Sequence, residues 1–169
     1  MQKLNFDFFI RDVLVVAPEL IGKIIQIQTD QGFETFRITE TEAYRGEEDL
    51  ACHAQKGKTA RTAPMYEIGG ILYIYLVYGM HWMLNVVTAG ENNPQAVLIR
   101  GVENFNGPGK LTKSMGINKA YNYLNISQSK QFSIFDDGFR PKIETGKRIG
   151  IDYAGEIYKN KAWRYFQSK

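Results

Sequence analysis

Two short stretches carry acids and aromatic rings that folding alone has little use for: Glu40-Thr-Glu-Ala-Tyr44 and Leu72-Tyr-Ile-Tyr-Leu-Val-Tyr-Gly-Met80. Side chains alternate faces along a strand. Phe36, Ile38, Glu40, Glu42 and Tyr44 are therefore expected on one face, an apolar face running into two carboxylates. An unpaired ionised carboxylate is costly to bury, so such positions are paired or functional. In the second stretch Ile71, Tyr73 and Tyr75 share one face, and Leu72, Ile74 and Leu76 the other. Tyr78 then stands beside Gly79 at the strand's end, where a ring is hard to bury and easy to present. Acid, stacking rings and a protruding ring together suggest extrusion of a base and hydrolysis.

Each of these residues also has an ordinary reading. Glu42 is either an acid/base group or a strand-end acid paired with Arg37 or Arg45. Tyr44, Tyr73 and Tyr75 are core or sheet-edge rings unless something stacks on them. His53 and His81 are the only histidines, which excludes a His-rich metal site. Glu47, Glu48, Asp49 and His53 match no metal-ligand spacing and read as a solvated acidic loop. Cys52 and His53 are adjacent and do not face each other, so they form no catalytic dyad. Gly107-Pro-Gly-Lys110 lacks the glycine spacing and Lys-Ser/Thr pair of a P-loop. It is a helix start that could also hold a backbone phosphate, with Lys110 adding charge.

The elements that must position these groups follow from pattern. Asp12 caps a helix from Val13 to about Ile21, with Pro18 inside it and Gly22 ending it. Ile24–Thr29 and Phe33–Glu42 form a hairpin around Asp30-Gln-Gly32. Residues 46–58 give a weak helical turn or two, and 59–70 an irregular loop. Ile71–Tyr78 and Trp82–Thr88 are paired strands around Gly79-Met80, followed by a strand at Ala96–Val102. Asn106-Gly-Pro-Gly109 opens a short helix from Lys110 to about Met115. Residues 118–130 read as surface loop, Phe132–Phe135 and Arg148–Tyr153 as further strands, and Trp163–Phe166 as the end of a basic tail. Several antiparallel strands with short peripheral helices make an α+β fold: one domain over 1–169, a curved, mostly antiparallel sheet with a protruding hairpin.

Composition narrows the class. The 169 residues are 44% hydrophobic and 23% charged, which suits one folded domain. The net charge of +3 permits nucleic-acid binding without announcing it. A basic patch would have to be local, from Lys56, Lys58, Arg61, Lys110 and Lys113. Ten tyrosines, ten phenylalanines and two tryptophans are a large aromatic load. One cysteine excludes an internal disulfide and suits a reducing compartment. Asp7 and Arg11 interrupt the apolar N-terminal residues, so no secretory signal is expected. No stretch reaches the roughly 20 apolar residues of a membrane span. The chain is expected to be soluble and intracellular, in cytoplasm or nucleoid if bacterial.

At these motifs the chain resembles the alkyladenine (3-methyladenine, methylpurine) DNA glycosylase family. The match runs through Leu20-Ile-Gly-Lys23, Glu40–Asp49, Ala51–His53, Arg61-Thr-Ala-Pro-Met65 and Leu72–Asn85. It continues through Ala96–Arg100, Gly107–Leu111 and Arg148–Glu156. The resemblance implies a monofunctional, cofactor-free and metal-free enzyme, acting as a monomer on double-stranded DNA that contains damaged purines. It implies that Glu42 is the general base, and that Arg100 and the backbone at 86–87 help hold the attacking water. Tyr44 corresponds to the ring on one side of the extruded base, with His53 and Tyr75 on the other. Asn85 matches the pocket residue that crowds guanine's exocyclic amine, and the His53 N–H would meet the purine six-position. Tyr78 matches the residue filling the gap in the duplex, flanked by Met65 and His81; Arg61 and Lys110 are the expected phosphate contacts. Two departures from the family bear on non-specific affinity and lesion range. The basic N-terminal region of vertebrate members is absent, and His81 stands where some relatives carry Tyr. A non-catalytic damaged-DNA binding module and a nucleosidase on the same scaffold are the alternatives.

Overall fold

A computed structural model describes residues 1–168. In chain order the elements are β1 (Gln2–Lys3), α1 (Phe6–Phe9), α2 (Val13–Glu19), β2 (Ile24–Thr29), β3 (Gly32–Arg45), β4 (Leu72–Val77) and β5 (His81–Thr88). Then come β6 (Gln95–Val102), β7 (Phe105–Asn106), α3 (Pro108–Ser114), β8 (Phe132–Asp136), β9 (Ile143–Gly146), α4 (Gly155–Lys159) and β10 (Arg164–Gln167). The strands form one sheet in the order β1-β8-β2-β3-β6-β5-β4, with β7 added to β6 and the β9–β10 pair joined to β3 through β10. Every pairing is antiparallel, and the helices lie outside the sheet. The α+β reading holds.

One face of the sheet packs its aliphatic positions against α2 and α3: Ile25, Ile38, Ala43, Leu72, Ile74, Leu84, Val97 and Ile99 meet Val13, Val16, Ala17 and Leu111. Asp12 caps α2 by accepting from the Leu14 N–H at 2.8 Å. The other face carries Tyr73, Val87 and Ala96, covered by Cys52, Ala54, Met65 and Tyr66 from the long β3–β4 connection. Alternation along β4 therefore falls as expected, with tyrosines on one side and Leu72 and Ile74 on the other.

Along β3 it does not. Ile38 sits opposite Val102, Glu40 opposite Gly101 and Thr41 opposite Ile99, so Thr39 and Arg100 drop out of register. Such irregularities re-aim side chains. Phe36 and Ile38 face the core before the break; Ala43 faces it afterwards, as does Thr41, whose hydroxyl donates to the Ala17 carbonyl at 2.9 Å. Glu40, Glu42 and Tyr44 thus lie on the opposite face from Ile38, which corrects the expectation of a single shared face. Gly101 permits the close crossing: a Cβ there would lie 3.0 Å from Thr39 Oγ1.

The C-terminal third differs most from the pattern reading. The tail is a strand, β10, zipped onto β3 with Arg164 opposite Glu42. Residues 148–153 are a loop and a short 3-10 turn instead of a strand. Residues 122–126 cover the outer edge of β4: Leu72 N–H donates to Leu124 O and Tyr123 N–H to Leu72 O, each at 2.9 Å. This part of the β4 edge therefore has its backbone groups paired within the chain. Among the described residues no helix is long and apolar enough to cross a membrane.

Candidate active site

One register row crosses the sheet from Arg164 on β10 through Glu42, Leu98 and Asn85 to Tyr73 on β4. Residues in such a row share a face, and neighbouring strands lie about 4.8 Å apart. An acid and an amide are thereby set roughly 10 Å apart on one rigid surface. Above that surface is a cavity of about 360 Å³, closed by the Cys52–His53 turn and by the Ile149–Tyr153 loop.

Glu42 is fully buried just behind the cavity wall. Its Oε2 accepts from the Tyr44 hydroxyl at 2.8 Å and its Oε1 from the Ile149 N–H at 2.7 Å. Arg100 Nε is 3.5 Å from Oε1. Burial pushes the Glu42 pKa up, and Arg100 and the two hydrogen bonds counter it only in part. Neither proposed surface partner reaches it: Arg37 pairs with Asp137 and Glu103, and Arg45 with Asp12 and Glu48. A carboxylate has about four lone-pair directions; with two engaged, it can still accept from a water.

Tyr44 is held from behind. The Arg148 guanidinium stacks 4.8 Å from its ring centroid and 5.0 Å from that of Trp163. Arg148 in turn makes a two-pronged pair with Asp49 at 2.6 and 2.9 Å, both side chains at 0% exposure. Asp49 is therefore no part of a solvated acidic loop, and Glu47 also has a partner, the Tyr66 hydroxyl at 2.6 Å. Arg148 lay inside a recognisable motif but carried no assigned role, because a partner 99 residues away leaves no trace in local pattern.

On the other side, the His53 ring meets Tyr75 edge-on at 4.5 Å, and its Nδ1 is 3.0 Å from the Tyr73 hydroxyl. Burial, then the positive charge of Arg61, pulls the His53 pKa down to about 4, so the ring is neutral near pH 7. Asn85 is buried, its Nδ2 donating to the Tyr73 carbonyl at 3.0 Å, which fixes the amide against the floor. Arg61 is exposed, with its guanidinium 5.2 Å from the Tyr75 ring centroid. Val87 N–H donates to Ile71 O at 2.8 Å, and β5 is two strands from β3, so the backbone at 86–87 is not beside Glu42.

The β4–β5 hairpin turns at Tyr78-Gly79. Both have positive φ, 51° and 67°, and Met80 N–H donates to Val77 O at 3.1 Å. That is the signature of the tight hairpin turn that prefers Asn-Gly. A tyrosine there is strained, and it is 91% exposed. His81 is exposed, paired with Val77 next to the turn, and lies against Gly109, where a Cβ would lie 2.8 Å from its Nδ1. Lys110 is exposed in the first turn of α3. Met65 differs from its expected place: at 2% exposure it is packed into the cavity wall and has no surface to wedge with. The cavity also recruits residues that pattern alone did not single out. The Tyr153 ring stands at the mouth with its hydroxyl donating to Ala51 O at 3.1 Å, and the Cys52 thiol is pushed up to about 11 by burial.

A buried acid beside a flat slot bounded by aromatic rings, with an exposed ring at its rim, can hold a planar group and activate water next to it. Comparison with known proteins points the same way. The model of the family described as methylpurine-DNA glycosylase matches residues 7–169. A protein of Borreliella burgdorferi named "Putative 3-methyladenine DNA glycosylase" is 45% identical, with 94% of this chain and 92% of that protein covered. Proteins with the same name from Sodalis glossinidius (41% identical; 96% and 95% covered) and Rickettsia felis (44%; 94% and 89%) are also similar.

Proposed function

Since the chain belongs to the methylpurine-DNA glycosylase family, and is on that ground a DNA glycosylase, we propose that it excises alkylated or deaminated purines from duplex DNA by a water activated at Glu42. The substrate class is 3-methyladenine, 7-methylguanine, hypoxanthine and ethenoadenine. The protein would act as a monomer, inside the cell, where its substrate is. The observation that carries this reading is Glu42: fully buried, held by three neighbours, and raised in pKa by that burial.

The steps follow from the geometry. A base inside a duplex is out of reach, so the nucleotide must swing out, at a cost of a few kcal/mol that is smallest for weakly paired bases. Tyr78, already outside the protein, would take the vacated place in the stack. The base would lie between Tyr44 and the His53–Tyr75 pair, each stacked ring contributing roughly 1–3 kcal/mol. Asn85 would crowd a two-amino group. Glu42, ionised, would take a proton from water as the oxygen attacks C1′. The bond from C1′ to the purine nitrogen then breaks and the electron pair leaves with the base. A cationic N-alkylated purine departs neutral; an uncharged lesion takes a proton from solvent water as it leaves. The same carboxylate charge steadies the positive charge that develops on the sugar. No lysine lines the cavity among the described residues, so the residues present offer water, not an amine, as nucleophile.

Glu42→Gln keeps the shape and removes the base. Single-turnover excision from a hypoxanthine duplex should fall by about 10²–10⁴-fold, while duplex binding stays near that of the unmodified protein. A Gln variant excising at more than about a tenth of the original rate, against that expected loss, would remove Glu42 from the role. It would favour a binding module or a differently placed acid.

A further inference from the structure

Glu40 stands two residues before Glu42 on the same side of β3, at the register break. Its Oε1 accepts from Arg100 Nε at 3.2 Å and from Arg164 Nη1 at 3.1 Å. The same Arg100 Nε lies 3.5 Å from Glu42 Oε1, close enough for an ion pair, yet its hydrogen bond goes to Glu40. A guanidinium Nε carries a single proton, so Arg100 cannot give it to both carboxylates. We infer that Glu40, anchored by Arg164, is a positioning residue that takes the Arg100 Nε–H hydrogen bond for itself, limits Arg100 to an ion pair with Glu42, and so keeps Glu42 basic enough to take a proton from water.

The inference rests on the reading of Glu42 as the base, but it concerns a different residue. Glu40 is 19% exposed and Arg100 14%, so their pair is largely shielded from solvent. The remaining groups facing Glu42 are fixed by other bonds. Arg148, from the loop after β9, is spent on Asp49; the Tyr44 hydroxyl and the Ile149 N–H already donate to Glu42. Tyr75 and Tyr153 add weaker influences from β4 and from the cavity mouth. Arg164 lies directly across from Glu42 in register, yet its Nη1 is bonded to Glu40 and its Nε to Lys147 O at 2.8 Å. Arg100 is thus the cation poised between the two acids, and Glu40 decides which of them it serves. Replacing Glu40 by Gln removes a like charge and leaves only a neutral amide oxygen to accept the Nε proton, so Arg100 turns more toward Glu42. Both changes favour the ionised carboxylate and weaken it as a base.

The test is the pH profile of single-turnover excision on one hypoxanthine duplex, where the acid limb reports ionisation of the base. Glu40→Gln should move that limb down by about one pH unit and lower the plateau. Glu40→Asp, which keeps the charge, should leave the limb near its original place. Arg164→Met frees Glu40 to hold Arg100 alone and removes a cation, so its limb should move up. Partial unfolding would lower the amount of active protein without moving either limb. Limbs that stay put, or that move in the same direction in Glu40→Gln and Arg164→Met, would overturn the inference. An active Glu42→Gln variant would instead remove the premise, which separates the two failures.

Discussion

Glu42 is poised between opposing influences: burial raises its pKa, while Arg100, a backbone N–H and the Tyr44 hydroxyl limit the rise. A carboxylate so placed is a stronger base than one in water. Asn85 has the opposite character. It does no proton chemistry, and its amide is pinned to the Tyr73 carbonyl, so it cannot swing aside for a bulkier base. A pocket rejects best through steric or unpaired-polar penalties. Guanine differs from hypoxanthine by its two-amino group, so Asn85→Ser should raise excision of undamaged guanine relative to hypoxanthine. Parallel rate measurements on the two duplexes check this, and an unchanged ratio would place discrimination elsewhere. At this scale Glu42, Tyr44 and Tyr75 stand out in the chain itself, and His53 and Asn85 through the family resemblance; all five sit at or against one cavity. Met65 could not, because an apolar residue in an irregular loop looks the same whether it points to DNA or into a wall.

Among the elements, the β4–β5 hairpin and the register break in β3 matter most. The hairpin was legible because alternation in β4 and β5 is regular and Gly79 marks the turn. The break in β3 was not: two residues, Thr39 and Arg100, slip out of register together, and the strands on either side still look regular. The strand reading of 148–153 failed because Ile149 and Ile151 mimic alternation, whereas Arg148 leaves the sheet to reach Asp49. β10 does not read as a strand because its four residues are too few to show alternation and are held by pairing with β3 and β9. The hairpin tip carries a prediction of its own. Tyr78 occupies a left-handed position that suits Asn or Gly, at a cost of roughly 1–2 kcal/mol for a bulky residue, and it touches little protein. Tyr78→Asn should therefore leave thermal stability unchanged or raise it. Affinity for a lesion duplex should weaken by about 1–3 kcal/mol, the scale of base–aromatic stacking. Melting curves and binding titrations at one salt concentration read both. Lost stability with unchanged affinity would make Tyr78 a folding residue and favour a nucleosidase.

For the molecule as a whole, one antiparallel sheet serves as the plate on which acid, amide and rings are mounted. Helices seal one face, and the β3–β4 connection and the Ile149–Tyr153 loop build the slot on the other. The net charge of +3 is modest for a DNA-binding protein, which leaves lesion capture to the slot and hairpin more than to a general basic surface. The central claim is hydrolysis of the glycosidic bond by water, with the DNA strand left whole. Its direct test is a duplex with one hypoxanthine in an end-labelled strand, incubated with the protein, with and without hot alkali, and separately with borohydride. The account predicts free hypoxanthine, a full-length strand that breaks at the lesion only after alkali, and no trapped protein–DNA adduct. Strand breakage before alkali, or an adduct trapped by borohydride, would mean that an amine of the protein attacks C1′, and would contradict it.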